Sequence, residues 1–293
     1  MRGFKRGLAA ALAVLALALV FFAIDTVKPA VTALVQGAER MRLQGLTTGY
    51  SVKETEDFII RFSAEDVGVV SRVEDQAKGQ LGLVSEYFGY KPQKKIYLTV
   101  YHDREQLQRG LRLPYRGTTL GAYYAGTISV LSPNVWGDEG DQAEGGLYIH
   151  ELTHLIMADM AGGNYPLWFT EGMALYQEHI NTGFEWGKEH VFQRMPYSMK
   201  ELTDDFAGLD QYLAYKQAFL LVKELAQREG REKILELFGV LKENTPFDEA
   251  FQRVFGYLPE DLYNLFDSIP KNEVCKGWGT LAYKNWGLIG GSY

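Results

Sequence analysis

The chain has 293 residues, of which 46% are hydrophobic, enough to bury the core of one large domain or two small ones. Its 37 acidic and 30 basic side chains give a net charge of −7, which is the wrong sign for attraction to phosphate backbones, so no nucleic-acid partner is expected. The single cysteine excludes a disulfide within the chain and a cysteine-rich metal site, so any metal must be bound by nitrogen and oxygen ligands.

The N-terminus contains an uninterrupted apolar run over residues 7–24, preceded by Arg2, Lys5 and Arg6. As a helix this run would reach about 27 Å, close to the thickness of a bilayer core. Basic residues before such a helix favour a cytoplasmic N-terminus. Residues 1–25 are therefore predicted to be a signal anchor in the cell membrane, single-pass, with the rest of the chain extracytoplasmic. A cleaved signal peptide, which would make the protein secreted, is the alternative.

The next segment, residues 26–55, is interpreted as a juxtamembrane stalk with a short helix and no strand. The folded domain is predicted to span residues 56–270, and its first half alternates strands and helices in a βαβα order. The predicted elements are a strand over residues 58–62, a helix over 64–88, a strand over 95–101, a short helix from 102 to about 111, and two short strands within 120–131 that flank Ala125-Gly126-Thr127.

From Asp141 onward the apolar spacing predicts helices only. Strands first and helices second indicate an α+β fold, with a small N-terminal mixed sheet and a helical second half. Residues 271–293 show no clear pattern and are interpreted as a C-terminal extension. The predicted breaks between the helices lie at residues 161–164, 181–183, 195–196, 230 and 244–246.

Residues 150–154 read H-E-L-T-H within a stretch of helical periodicity. Histidines four residues apart lie one turn from each other on the same helix face, so both imidazoles can reach one ion while Glu151 lies beside them. This is the arrangement that a hydrolytic zinc site requires. Two purely structural histidines, His150 and His154, are the alternative.

Catalytic zinc usually has three protein ligands and one open position, so a third ligand is needed. The metzincin continuation would require glycine at position 157 and histidine at 160, but both are methionine. The helix that carries residues 150–154 would extend about 10 Å beyond His154. An antiparallel second helix covers about 8 Å from Pro166 to Glu171, so Glu171 is predicted to lie near His154. The alternative is a surface carboxylate at a helix start.

His179 and His190 are the other nitrogen candidates near this motif. Each follows a glutamate, in Glu178-His179 and in Lys188-Glu189-His190, and such polar pairs are typical of exposed surface. Both histidines are therefore predicted to be solvated residues or outer neighbours of the metal ligands.

Residues 150–176 resemble the peptidase MA-like gluzincins, which are distantly related to thermolysin and carry H-E-[LF]-T-H, a gap, then P-x-W-[FL]-x-E-G-x-A-x-Y. The element order is similar over residues 57–267, but the motif itself covers only 150–176. The resemblance implies a zincin-like fold, Zn²⁺ bound by His150, His154 and Glu171, and Glu151 as general base. One position departs from the thermolysin pattern: an acid four residues after the ligand glutamate orients a histidine there, and here that position is Leu175.

The expected function is zinc-dependent hydrolysis of peptide bonds in a peptide or protein substrate, with the attacking water activated by Glu151. A neutral donor usually stabilises the oxyanion of such reactions, and Tyr215 is the first candidate, with Tyr212 as the alternate. Tyr215 also lies on an apolar helical face, and a core role is the competing interpretation. Residues 121–130 could pair with an extended substrate or form an ordinary hairpin.

Two other functions fit the same residues. The chain could be a catalytically silent, peptidase-like binding or assembly module at the membrane surface, but the intact Glu151 argues against this. The same zinc chemistry also permits hydrolysis of a non-peptide amide. The sequence does not predict the oligomeric state.

Overall fold

The computed structural model describes residues 31, 34–111, 120–136, 140–190, 192 and 195–262. The predicted anchor over residues 1–25 and the extension over residues 271–293 lie outside this range. None of the helices described combines the length and the apolar character needed to cross a bilayer.

The chain divides into two compact units, Met1–Thr48 and Gly49–Tyr293. In the first unit, residues 34–46 form helix α1. The second unit contains a five-stranded sheet and seven further helices within the described residues. The strands are β1 (Ser51–Glu54), β2 (Phe58–Phe62), β3 (Ile96–Tyr101), β4 (Gly121–Tyr124) and β5 (Thr127–Leu131), and the helices are α2 (Val70–Phe88), α3 (Arg104–Leu111), α4 (Gly140–Ala161), α5 (Leu167–Thr182), α6 (Met199–Asp204), α7 (Gln211–Lys242) and α8 (Phe247–Phe255).

The sheet has the strand order β1-β2-β3-β5-β4 and is mixed. Strands β2, β3 and β5 are parallel, whereas β1 and β4 run antiparallel to their neighbours at the two edges. A mixed sheet followed by helices confirms the predicted α+β class. The geometry also makes β4 an edge among the described strands.

Strand β1 was not predicted, because Ser51–Glu54 falls within the segment interpreted as a stalk. The strand has only four residues, most of them exposed, and its sequence Ser-Val-Lys-Glu lacks an alternating apolar pattern. It pairs with β2, Val52 lying opposite Arg61, so backbone hydrogen bonds rather than side-chain burial define it.

One face of the sheet forms the core beneath the helices. Alternate residues of β2, namely Phe58, Ile60 and Phe62, are buried, while the residues between them are partly exposed. This alternation follows from the two-residue period of a strand and explains why the pattern was readable in sequence. Helix α2 contributes the apolar side chains of every third or fourth residue to the same core, namely Val70, Val73, Ala77, Leu81, Val84 and Phe88.

Helix α4 lies at the centre of the helical half and packs against α2, α5 and α7. Gln80 of α2 accepts a hydrogen bond from the backbone N–H of Ile149 at 2.8 Å, which fixes α4 next to His150. Predicted breaks at Gly183 and Gly230 are confirmed: α5 ends before Gly183, and α7 is kinked at Gly230, where φ is 79°.

Gly172 allows α5 and α7 to approach closely. A Cβ atom at this position would lie 2.4 Å from the carbonyl oxygen of Ala218 and 2.6 Å from Val222 Cγ2. These distances are well below van der Waals contact, and the first partner is backbone that cannot rotate away. Any side chain at 172 would therefore push α5, and with it Glu171, away from α7.

We expect Gly172→Ala to lower the free energy of unfolding by about 1–3 kcal/mol, the usual cost of overpacking a core. Gly239→Ala is the matched control, because Gly239 also lies in a helix but has no heavy atom within 4 Å of an added Cβ. That control should be neutral or slightly stabilising, since alanine is the better helix former. Urea titrations of both variants measure the difference, and equal stabilities would contradict the close approach.

Candidate metal centre

His150 and His154 lie in helix α4, one turn apart on the same face. Their ring centroids are 4.8 Å apart with an angle of 76° between the ring planes, and both residues are buried. After α4 ends, Gly162 and Gly163 adopt positive φ values of 64° and 74°, which reverse the chain. The return helix α5 then runs antiparallel beside α4.

Glu171 arrives on α5 at the level of the two imidazoles, as the helix lengths predict. Its Oε2 atom lies 3.3 Å from His150 Nε2 and 3.6 Å from His154 Nε2. One ligand atom from each of the three residues lies within 4.8 Å of the other two. The structure thus brings together all three of the predicted metal ligands.

Each imidazole is held through its other nitrogen. His150 Nδ1 donates to Glu178 Oε1 at 2.6 Å, and His154 Nδ1 forms a hydrogen bond with Thr170 Oγ1 at 2.7 Å. The nitrogen that faces Glu171 is then Nε2 in each ring, and it can bind an ion once it has released any proton it carries. Both rings therefore turn Nε2, rather than Nδ1, towards the carboxylate of Glu171.

The donor set of the three residues is suited to a divalent cation. Oε1 of Glu171 and Oε1 of Glu151 are buried and have no hydrogen-bond partner, so both oxygens retain unused acceptor capacity. Two imidazole nitrogens and a carboxylate oxygen form one of the ligand sets that hydrolytic zinc uses. The residues present therefore fit a divalent cation such as zinc, which His150, His154 and Glu171 would hold.

The electrostatics of the centre also favour a cation. Burial alone would raise the pKa of Glu171, but the charge of His154 and the hydrogen bond from His150 outweigh burial and lower that pKa to about 2. Burial would likewise lower the pKa of His150, yet its bonds to Glu171 and Glu178 raise it well above the ordinary value. The buried carboxylates thus favour a positive charge beside them, and either a proton or a metal ion can supply that charge.

Glu151 follows the first histidine and is almost completely buried. Burial raises the pKa of its carboxyl group above the ordinary value, while the charges of His150 and His154 and the backbone N–H of Tyr123 oppose that shift. Because Tyr123 belongs to β4, the carboxylate lies between the histidine pair and an edge of the sheet. A carboxylate with a raised pKa there is suited to accept a proton.

Among the described residues, His179 and His190 are not part of this cluster. His179 Nδ1 donates to the carbonyl oxygen of Phe184 at 2.9 Å, and the ring of His190 packs against Tyr212. The ring of Tyr215 is buried between Trp186 and Phe206, with centroid separations of 5.8 and 5.4 Å. Its role as oxyanion donor stays a prediction.

Glu178 and Thr170 are the two site residues that the sequence interpretation missed. Glu178 was taken as part of an exposed Glu-His pair, but it is only 4% exposed and contacts His150. Its spacing of seven residues from Glu171 could have indicated that it faces the site, because residues seven apart lie on one face of a helix. Thr170 lies immediately before Glu171 and gave no signal of its own.

Comparison with known proteins is consistent with this geometry. A search of curated proteins gives no match. A family model described as the peptidase MA superfamily matches residues 76–271, which is more than half of the chain and includes all the residues of the centre. This match supports a peptidase, a hydrolase of peptide bonds in general. The chain therefore belongs to the peptidase MA superfamily, as the resemblance of residues 150–176 predicts.

Proposed function

We propose that this protein is a zinc-dependent peptidase of the gluzincin type, with a zincin-like fold. The observation that carries the proposal is the convergence of three residues beside the buried Glu151: Glu171 Oε2 lies 3.3 Å from His150 Nε2 and 3.6 Å from His154 Nε2. Nitrogen and oxygen ligands with an open position are typical of hydrolytic zinc. Family membership supports the peptide bond as the bond that is hydrolysed.

Bound zinc would polarise the scissile carbonyl and lower the pKa of a water molecule. Glu151 takes a proton from the attacking water as the new C–O bond forms, and passes it to the amide nitrogen as the C–N bond breaks. Its backbone bond from Tyr123 holds the carboxylate towards β4. The unpartnered Oε1 atom of Glu151 has the acceptor capacity that this transfer requires.

Strand β4 is a suitable place for an extended substrate. It pairs with β5 on one side only among the described strands, and the Tyr123 backbone lies next to Glu151. A peptide that added to this edge through main-chain hydrogen bonds would place its backbone beside the general base. This supports a peptide or protein substrate over a compact amide.

The proposed location is the extracytoplasmic face of the cell membrane. Support comes from the sequence alone: the apolar run over residues 7–24 and the basic residues before it are typical of a signal anchor. If this segment is cleaved, the protein is secreted.

We expect the full-length protein to bind about one zinc per chain, measured by elemental analysis after dialysis. Glu171→Ala should weaken zinc binding by more than the roughly 10–100-fold typical for loss of an outer hydrogen-bond partner, because it removes a direct ligand. Glu189→Gln is the control, since Glu189 is exposed and bonds only Tyr212 among the contacts described. Equal zinc content in all three proteins would contradict the assigned ligands.

Glu151→Gln should reduce peptide cleavage by about 10²–10⁴-fold while zinc stays bound, because the amide has the same shape but cannot accept the proton. Both proteins are compared on a mixed peptide library, with products identified by mass spectrometry. Zinc binding without cleavage by either protein would instead support the silent binding module. Cleavage of non-peptide amides alone would favour the third function.

Tyr215→Phe tests the oxyanion donor. If the hydroxyl stabilises the transition state, kcat should fall by about 10²–10³-fold with zinc content unchanged. Tyr212→Phe is measured in parallel, because it removes the same atom from the alternate candidate on the same helix and shows which of the two hydroxyls contributes. An unchanged kcat in Tyr215→Phe would assign this tyrosine to the core between Trp186 and Phe206.

A further inference from the structure

Glu178 forms a buried contact with a ligand of the proposed zinc site. Its Oε1 atom lies 2.6 Å from His150 Nδ1, and the two side chains are 5% and 0% exposed. We propose that Glu178 is a positioning residue, which fixes the ring orientation and the tautomer of His150. Gly146 leaves the room that the carboxyl group of Glu178 occupies. This inference rests on the proposed zinc site.

The proposal accounts for the departure at position 175. Leu175, where thermolysin-like proteins carry an orienting acid, is buried and apolar here and cannot accept a hydrogen bond. Glu178 lies seven residues after Glu171, about 700° around the helix, which returns it to the same face within about 20°. The carboxylate that orients His150 therefore lies about one turn further along α5 than position 175, towards the N-terminal side of His150 on α4.

Gly146 makes this longer reach possible. It lies four residues before His150, on the same face of α4. A Cβ atom at 146 would lie 2.7 Å from Glu178 Oε2 and 3.2 Å from its Cδ and Cγ atoms. The carboxyl group of Glu178 thus lies directly against the α4 backbone, in the volume that any side chain at 146 would fill.

Glycine inside a helix is unfavourable relative to alanine, so a helix-interior glycine calls for a reason in packing. The neighbouring Gly145 provides the contrast. A Cβ atom at 145 would have its nearest partner, Thr182 Cγ2, at 4.0 Å, which is ordinary contact. The requirement for glycine is therefore specific to position 146, where Glu178 lies.

The first test changes the hydrogen bond between Glu178 and His150 but keeps a side chain of the same size at position 178. Glu178→Gln keeps the size of the side chain and an acceptor oxygen but removes the charge. We expect zinc affinity, measured by competition with a chromophoric chelator, to fall about 10–100-fold, the range typical for lost outer partners of metal ligands. Cobalt-substituted protein should show a changed visible absorption spectrum, since the position of His150 relative to the ion is altered.

The second test is a double-mutant cycle between positions 146 and 178. In the wild-type background Gly146→Ala should weaken zinc binding by about 10-fold or more, because the new methyl group displaces Glu178. In a Glu178→Ala background the same substitution should leave zinc affinity unchanged, since the clashing carboxylate is absent. Gly145→Ala is the control and should leave zinc affinity unchanged in both backgrounds.

The outcomes separate this inference from the proposed function. If the wild-type protein binds no zinc, the proposed function fails. If the wild type binds zinc and loses it on replacing His150, yet Glu178→Gln keeps full affinity and the wild-type cobalt spectrum, the positioning role alone is overturned. Additive effects of Gly146→Ala and Glu178→Ala on zinc affinity would overturn the coupling between them.

Discussion

Three carboxylates and two imidazoles are buried together, and the structure must compensate the cost of burying their charges. Glu151, Glu171 and Glu178 are each at most 5% exposed, and no lysine or arginine is described in contact with them. Buried carboxylates are costly unless cations or hydrogen bonds compensate them. Hydrogen bonds to Glu171 and Glu178 outweigh burial and raise the pKa of His150, so this volume favours positive charge, which a divalent ion would supply.

The packing of α5 against α4 positions these charged groups, because it places Glu171 at the level of His150 and His154. The turn at Gly162 and Gly163 sets where α5 begins, and Gly172 lets α5 lie against α7 without moving Glu171. Hydrogen bonds to both Nδ1 atoms then orient the rings from outside the centre. Function and packing are thus linked, because the glycines that permit close helix contact lie beside the residues that carry the chemistry.

Much of this arrangement was readable from the sequence because it depends on local periodicity. Alternation predicts β2 and β3, and the four-residue spacing predicts that His150 and His154 share a face. The same reasoning missed β1, whose pairing depends on backbone hydrogen bonds, and misread Glu178, whose burial depends on Gly146 in another helix. The position of a side chain such as Tyr215 between Trp186 and Phe206 likewise follows from tertiary packing, which no spacing within one helix reveals.

We propose that two imidazoles and one carboxylate bind a single zinc ion in this chain. X-ray absorption at the zinc edge of the full-length protein, loaded with one equivalent, measures that coordination directly. We expect four or five nitrogen and oxygen ligands at about 2.0–2.2 Å, with outer scattering from two imidazoles. A first shell of oxygen alone, or scattering from three or more imidazoles, would contradict it.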